Sequence, residues 1–288
     1  MADLLARANP AALLRQHLVR EVRAIFHDSS RGEGPVVPSD AGLFAPGTPI
    51  RIVHADVVAM MVGGITALLL QMLHPHALRG VLDFSDFRAD MHGRLRRTAR
   101  FIAVTTYGSR EAAEQQIARV NRIHQGVRGT LPDGRPYAAT DPATLAWVHV
   151  AEAWSFLAAH LRYVRPDMTG ADQDRYYAQF ALVAKALHAD PVPHSRAEAA
   201  ALMLSMRPLL EGSADAREVA RLILTPRAEG AAGAAQMLLG TAAVDLLPPF
   251  ARTMLGLKPP GVAALPTRLA TGAMGEALRW AFGAPRPD

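Results

Sequence analysis

No cysteine occurs in the 288 residues, which removes disulfides, thiolate metal ligation, cysteine–zinc sites and a cysteine nucleophile together. Lysine is nearly absent as well. Lys185 and Lys258 are the two lysines, and 29 of the 31 basic residues are arginine. The formal charge is +5, but the arginines are scattered and interleaved with acids, and no RNA- or DNA-binding motif accompanies them. No nucleic-acid partner is expected. No apolar run reaches the roughly 20 residues that cross a bilayer. Val57 to Leu73 comes nearest, but it is shorter and contains Gly63-Gly64 and Gln71, so it reads as a buried core helix. Met237 to Leu257 is interrupted by Asp245, Pro248-Pro249 and Arg252. No transmembrane span is therefore expected, while peripheral contact with a membrane stays open. The first twenty residues spread their arginines and show no apolar core with a cleavage site, so no secretory signal is read and a cytoplasmic location is expected. Alternating strand periodicity is missing too.

What is present favours helix. Half of the residues are hydrophobic, enough for a sizeable core, and the composition is rich in Ala and Leu. Residues 2–27 read as an amphipathic helix, followed by a Gly/Pro/Ser loop over 28–49, long enough to be a lid or a connector. An apolar helix spans about 51–73 and ends at His74-Pro75. Gly108 fits the C′ position of the next helix, and Ser109 N-caps a helix over about 110–127. Residues 129–136 form a turn-rich connection. Asp141-Pro142 opens a helix to about Val164. Thr169 to Asp172 and the capping box Ser195 to Glu198 start two more, and shorter helices fill 214–224, 228–256 and 262–282. The expected fold is all-α with about ten helices: an N-terminal helix and loop (1–50) packing on a single helical domain (51–288).

One cluster carries chemistry. Arg94, Arg97 and Thr98 stand at i, i+3 and i+4, so a helix places two guanidinium groups and a hydroxyl on one face. That stripe runs into the apolar Phe101-Ile-Ala-Val104. Permanent charge beside a core is costly unless something anionic or acceptor-rich pairs with it. His124, 26 residues after Thr98, could bring a metal ligand to the same space, and the combination suggests a haem pocket. Rival reactive arrangements are weak. The single reversed pair His149-Val-Ala-Glu152 does not make the paired Glu-x-x-His motifs of a di-iron bundle. Zinc-protease spacing, a P-loop, a GxSxG elbow and a GxGxxG fingerprint are missing. Tyr137 is either a pocket phenol or a core residue with a satisfied hydroxyl. Asp172 and Asp174 read as an acidic first helical turn.

The chain resembles the DUF2236 family of MpaB-type oxygenases and latex-clearing rubber oxygenases. The matching words, in order, are Gln71-Met-Leu-His-Pro75, Phe84-Ser-Asp-Phe87, Arg94-Leu-Arg-Arg-Thr98, Tyr107-Gly108, His124-Gln-Gly-Val-Arg-Gly129, Asp133-Gly-Arg-Pro-Tyr137 with Asp141-Pro142, and Trp147-Val-His149. They span about residues 60–210. The resemblance implies a globin-like helical core with additional helices, haem b held by one histidine, and oxygenase chemistry with O2 on an apolar, unsaturated or isoprenoid-like small molecule. His124 matches the proximal iron ligand, with His149 and His74 as rivals. Arg94 and Thr98 match the motif residues expected to act in catalysis. Arg94, Arg97, Thr98 and Arg128 are expected around the cofactor, the arginines either holding haem propionates or polarising bound oxygen. Some relatives place a lysine ligand where Arg97 stands. A guanidinium stays protonated and is a poor ligand, so a lysine-ligated closed state is not expected here. The alternative function is a haem- or lipid-binding helical sensor or carrier without turnover.

Overall fold

A computed structural model of the chain describes residues 34–85 and 90–283, together with 11–13, 15, 16 and 18–20. Most of the helix expected over 2–27, the start of the 28–49 loop, and residues 86–87 of the Phe84–Phe87 word lie outside the described residues. Among the described residues from 34 on, twelve α-helices follow one another: α1 (Pro49–Val53), α2 (Val57–Gln71), α3 (Pro75–Phe84), α4 (Met91–Tyr107), α5 (Arg110–Gly126), α6 (Pro142–Tyr163), α7 (Gly170–Ala186), α8 (Arg196–Ser205), α9 (Ala214–Leu224), α10 (Gly230–Leu246), α11 (Pro249–Leu255) and α12 (Ala264–Phe282). The expected all-α architecture holds, with one small addition. Between α5 and α6, β1 (Arg128–Thr130) and β2 (Pro136–Ala138) pair antiparallel, Gly129 opposite Tyr137. Three-residue strands are too short to leave a periodic signal, so only their turn was legible.

The central element is α2. Asp56 caps it by accepting from the Ala59 N–H at 2.8 Å, and apolar residues surround the rest of the helix. Such a helix must be largely enclosed: α6 covers one side and α10 and α12 another, while the face of Val57, Met60, Met61, Gly64 and Ile65 is half-buried. α6 comes very close at Gly63, where a Cβ would stand 2.8 Å from the Phe156 ring and 3.0 Å from its Cα. Trp147 is fully buried against α2 and donates from Nε1 to the Leu70 carbonyl at 3.2 Å. A Gly63→Val substitution therefore has to push the two helices apart, and should lower stability by about 1–3 kcal/mol. Denaturant unfolding measures this; a loss below about 0.5 kcal/mol, the range of a surface change, would mean the α2–α6 contact is not close-packed.

Two expected helices are broken where their apolar pattern continues. The helix read over 51–73 is α1 and α2, separated because Asp56 withdraws from the helix to cap the second segment. The one read over 228–256 is α10 and α11, divided at Leu247-Pro248, with Pro249 starting the second. Pro75 ends nothing by itself, since it occupies the first turn of α3, where a missing N–H costs least. Gly108, expected at the C′ position, is instead the C-cap of α4 in extended backbone (φ −70°, ψ 174°). It adjoins a close backbone approach: a Cβ on Gly42 would meet the Gly108 carbonyl at 2.6 Å. The described part of the 28–49 loop is fastened there. Ser39 N–H donates to the Tyr107 carbonyl at 2.8 Å, Arg110 N–H to that of Ala41 at 3.1 Å, and Arg51 donates to the carbonyls of Thr106 and Ser39. These residues clamp the α4–α5 turn. No single described helix is long and apolar enough to cross a bilayer.

Candidate functional site

The α4–α5 hairpin builds the site. Asp90 caps α4, accepting from Gly93 N–H at 2.8 Å, and Ser109 caps α5 through Ala112 N–H at 3.2 Å. Arg94 lies 14 residues before Gly108 and His124 lies 16 after it. Two antiparallel helices joined there bring them to the same level. Each is partly buried, and each acts on the other's charge: the Arg94 guanidinium is the second cause, after burial, that lowers the His124 pKa.

α6 completes the cluster. His149 is 6% exposed, and burial, followed by His124, pushes its pKa down to about 4. One turn on, the Glu152 carboxyl is 15% exposed and stands 3.9 Å from His149 Nδ1. Burial raises its pKa to about 7, against the opposing pull of a hydrogen bond from Gln71 Nε2 (3.2 Å) and the charge of Arg94. Burial and Arg97 lower Arg94 to about 10, with Glu152 working the other way. At pH 7 both imidazoles are thus neutral, Arg94 is charged and Glu152 is close to its midpoint. Among the described residues no carboxylate reaches Arg94 within 4.0 Å. The Nδ1 atoms of His124 and His149 are buried without a hydrogen-bond partner. Buried polar groups are normally satisfied, so these two imidazole nitrogens have unmet capacity, with the Arg94 cation close by.

Beside it lies a small cavity of about 20 Å³. Ile50 of α1, Phe101 and Ile102 of α4, and Phe180 and Val183 of α7 give it apolar walls; Thr105, His149 and Glu152 supply the polar atoms. Thr105 Oγ1 already donates within α4, to the Phe101 carbonyl at 2.9 Å. Arg94 and His124 are not lining residues.

Of the residues nominated from sequence, Arg94, His124 and His149 come together. Arg97 and Thr98 do not turn inward with Arg94: both are exposed, and Arg97 reaches back to Asp90 at 3.4 Å. The helical spacing groups the three residues correctly, but α4 packs on its neighbours through Phe101, Ile102 and Thr105, which leaves 97 and 98 toward solvent. The hydroxyl that lines the cavity is Thr105, two turns on. Arg128 is exposed on β1. His74 belongs to another group: its ring meets His76 at 5.3 Å, and its pKa is lowered to about 4 by burial and by His76. Tyr137 is a core residue, 4% exposed, whose hydroxyl donates to Asp83 at 2.6 Å. Glu152 and the α7 wall were missed. The signal for Glu152 was a lone carboxylate inside an otherwise apolar stretch of helix, three residues from His149.

Residues 51–283 match the family model described as "ER-bound oxygenase mpaB/B'/Rubber oxygenase, catalytic domain". The chain belongs to this oxygenase family. No curated protein and no solved structure matches it. The match covers the whole Arg94–His124–His149–Glu152 cluster and all but Ile50 of the cavity wall, so an enzyme of the oxygenase class has its candidate site inside the matched domain.

Proposed function

We propose that this protein is a haem b-dependent oxygenase that takes O2 and an apolar, unsaturated or isoprenoid-like small molecule. The observation that carries the reading is the buried, unpartnered Nδ1 of His124 with the Arg94 charge acting on it, beside an apolar cavity. Among the described residues no three His, Asp or Glu side chains converge on a point that could hold a free metal ion. A haem iron asks the protein for one imidazole and its propionates ask for cations, and this donor set fits that request. His124 would hold the iron and Arg94 a propionate; His149, deeper and against Glu152, is the rival ligand. Bound haem b supplies the activation of O2. The residues of the cavity do the rest. On substrate binding the cavity would widen, and its aromatic and aliphatic walls would offer apolar surface worth about 25 cal/mol per Å² removed from water. Glu152, with a pKa near 7, can hold or release a proton at Oε1 or Oε2, while Gln71 fixes one of those oxygens.

The test is to purify the protein with haem supplied and record its absorption. A Soret band that changes on His124→Ala supports the assignment. An unchanged spectrum in that variant, with a collapse in His149→Ala, moves the ligand to His149. No Soret band at all overturns the proposal. Oxygen uptake with apolar alkenes separates turnover from the sensor or carrier alternative, which would bind without consuming O2.

A further inference from the structure

The turn from α2 into α3 holds a second group of histidines, away from His124 and His149 in the sequence. His74 is the N-cap residue of α3 and His76 stands in its first turn, with Pro75 between them. An N-cap side chain normally accepts from the first backbone N–H groups of its helix. The His74 ring does not: it caps nothing, it is 5% exposed, and its Nδ1 is buried without a hydrogen-bond partner. Its close neighbour is the His76 ring, 5.3 Å away between centroids and nearly perpendicular at 86°. The fixed backbone of Pro75 holds the pair together.

His76 is oriented by a relay. Its Nδ1 stands 3.3 Å from Thr144 Oγ1, and that hydroxyl donates its single proton to the Asp141 carboxylate. A hydroxyl committed in this way can only accept from the ring. Nδ1 therefore carries the His76 proton, and Nε2 carries the lone pair. Asp141 is held in turn, because its Oδ2 caps α6 by accepting from Thr144 N–H at 2.8 Å. A histidine that binds a metal through one nitrogen is usually steadied through the other by such an acceptor.

The spacing of the rings selects a geometry. Two imidazoles on one tetrahedral ion, with metal–nitrogen bonds of about 2.0–2.1 Å, have their centres about 5.2 Å apart. The right angle of a square-planar or octahedral site brings them to about 4.5 Å. The observed 5.3 Å matches the tetrahedral case. Burial, followed by His76, lowers the His74 pKa to about 4, so at pH 7 that ring has no proton to give up to a metal. Asp141 favours a cation beside His74 and Arg135 opposes one, but Arg135 is paired with both Asp133 and Glu211.

We propose that His74 and His76 bind a zinc ion, with Thr144 and Asp141 steadying His76 from behind. Among the described residues no third His, Asp or Glu side chain joins them, so water completes the tetrahedron and leaves positions open to a further ligand. The ion ties the α2–α3 turn to the start of α6. This site does not depend on the haem reading, since it uses neither Arg94, His124 nor His149.

Zinc titration of the full chain at pH 7 against a coloured zinc chelator tests it. The wild type should bind one ion per chain, with or without haem supplied. His76→Ala should abolish this binding. Thr144→Val keeps the backbone N–H that Asp141 caps, and should weaken zinc about ten- to a hundredfold. His124→Ala should leave it unchanged. Cobalt gives a second measurement that needs no variant: a tetrahedral ion absorbs strongly in the visible and a six-coordinate one weakly, and strong bands are expected. A wild type that binds no zinc overturns the proposal, as does binding that survives His76→Ala or a weak, six-coordinate cobalt spectrum. Zinc lost in His124→Ala and kept in His76→Ala would also overturn it, and would place the ion in the α4–α6 cluster.

Discussion

Acidifying this protein from pH 7 to below pH 5 should unfold it, with the loss beginning near pH 6.5, above the range where ordinary carboxylates titrate. Four buried histidines are held neutral by the fold. Burial is the leading cause in each, and takes His54 to about 3 and His74, His149 and His160 to about 4, from 6.5. Between those values and 6.5 the unfolded chain binds protons that the folded chain refuses, so stability is fully present above 6.5 and is lost as pH falls. Each histidine contributes about 1.4 kcal/mol per pH unit. Glu152 works in the opposite direction. Its folded pKa of about 7 lies above 4.5, so between those values the folded state holds the extra proton and acid stabilises it. It cancels one histidine and leaves a net loss of about 4 kcal/mol per unit. The loss reaches about 10 kcal/mol by pH 4, so for a total stability of about 5–10 kcal/mol the transition should fall between about pH 5 and 4. Denaturant unfolding followed by far-UV circular dichroism at pH 7 and pH 5 measures the loss; an unfolding free energy unchanged between them would mean the histidines protonate in the folded state.

His160 isolates the cause. It is fully buried and neither ring nitrogen has a hydrogen-bond partner. An apolar replacement of similar size therefore removes a desolvation cost without orphaning a neighbour. His160→Leu should be near neutral at pH 7 and stabilising by about 2 kcal/mol at pH 5. His54 is a poorer target because its ring bridges Thr106 Oγ1 at 2.9 Å and Tyr176 Oη at 3.3 Å. Removing it would strand two hydroxyls. Equal melting shifts for His160→Leu at both pH values would separate its packing from its titration and discard the linkage argument.

Those histidines also mark where the sequence was and was not legible. Caps were readable because they are local: Ser109, Asp141, Thr169 and Ser195 each accept the backbone N–H three residues on, as their spacing announces. The breaks at 54–56 and 247–248 were hidden because the apolar pattern runs straight across them. The site was legible as far as its two helices are local neighbours, which covers Arg94 and His124. Glu152 was discounted as part of a defective di-iron motif. Its meaning comes from Gln71 and Arg94, which reach it from helices far away in sequence. Helical spacing likewise tied Arg97 and Thr98 to Arg94 without saying which edge of that stripe would meet the core. That angle is set by what α4 packs against.

Replacing Arg94 by Met should separate stability from function more sharply than any other single change. The Arg94 side chain is partly buried, burial lowers its pKa, and no described carboxylate within 4.0 Å compensates it. An apolar side chain of similar length keeps the packing and removes the desolvation cost, a change that is often neutral or stabilising by about 1–4 kcal/mol. The cofactor-free variant should thus melt at or above the wild-type temperature. Its affinity for haem should move the other way. One charge-assisted hydrogen bond to a propionate contributes about 1.5–3 kcal/mol, so affinity should fall about ten- to a hundredfold. Glu152 loses the positive charge that opposes its burial, and its pKa should rise above 7, which an infrared titration of the carboxyl band reads without cofactor. Thermal melting and haem titration on the same preparation decide the matter. If Arg94→Met loses stability and keeps its haem affinity, Arg94 is a structural cation and the anion it awaits is not a propionate. If stability rises while affinity falls, the protein tolerates a buried charge at the cost of its own stability for the sake of the ligand that meets it.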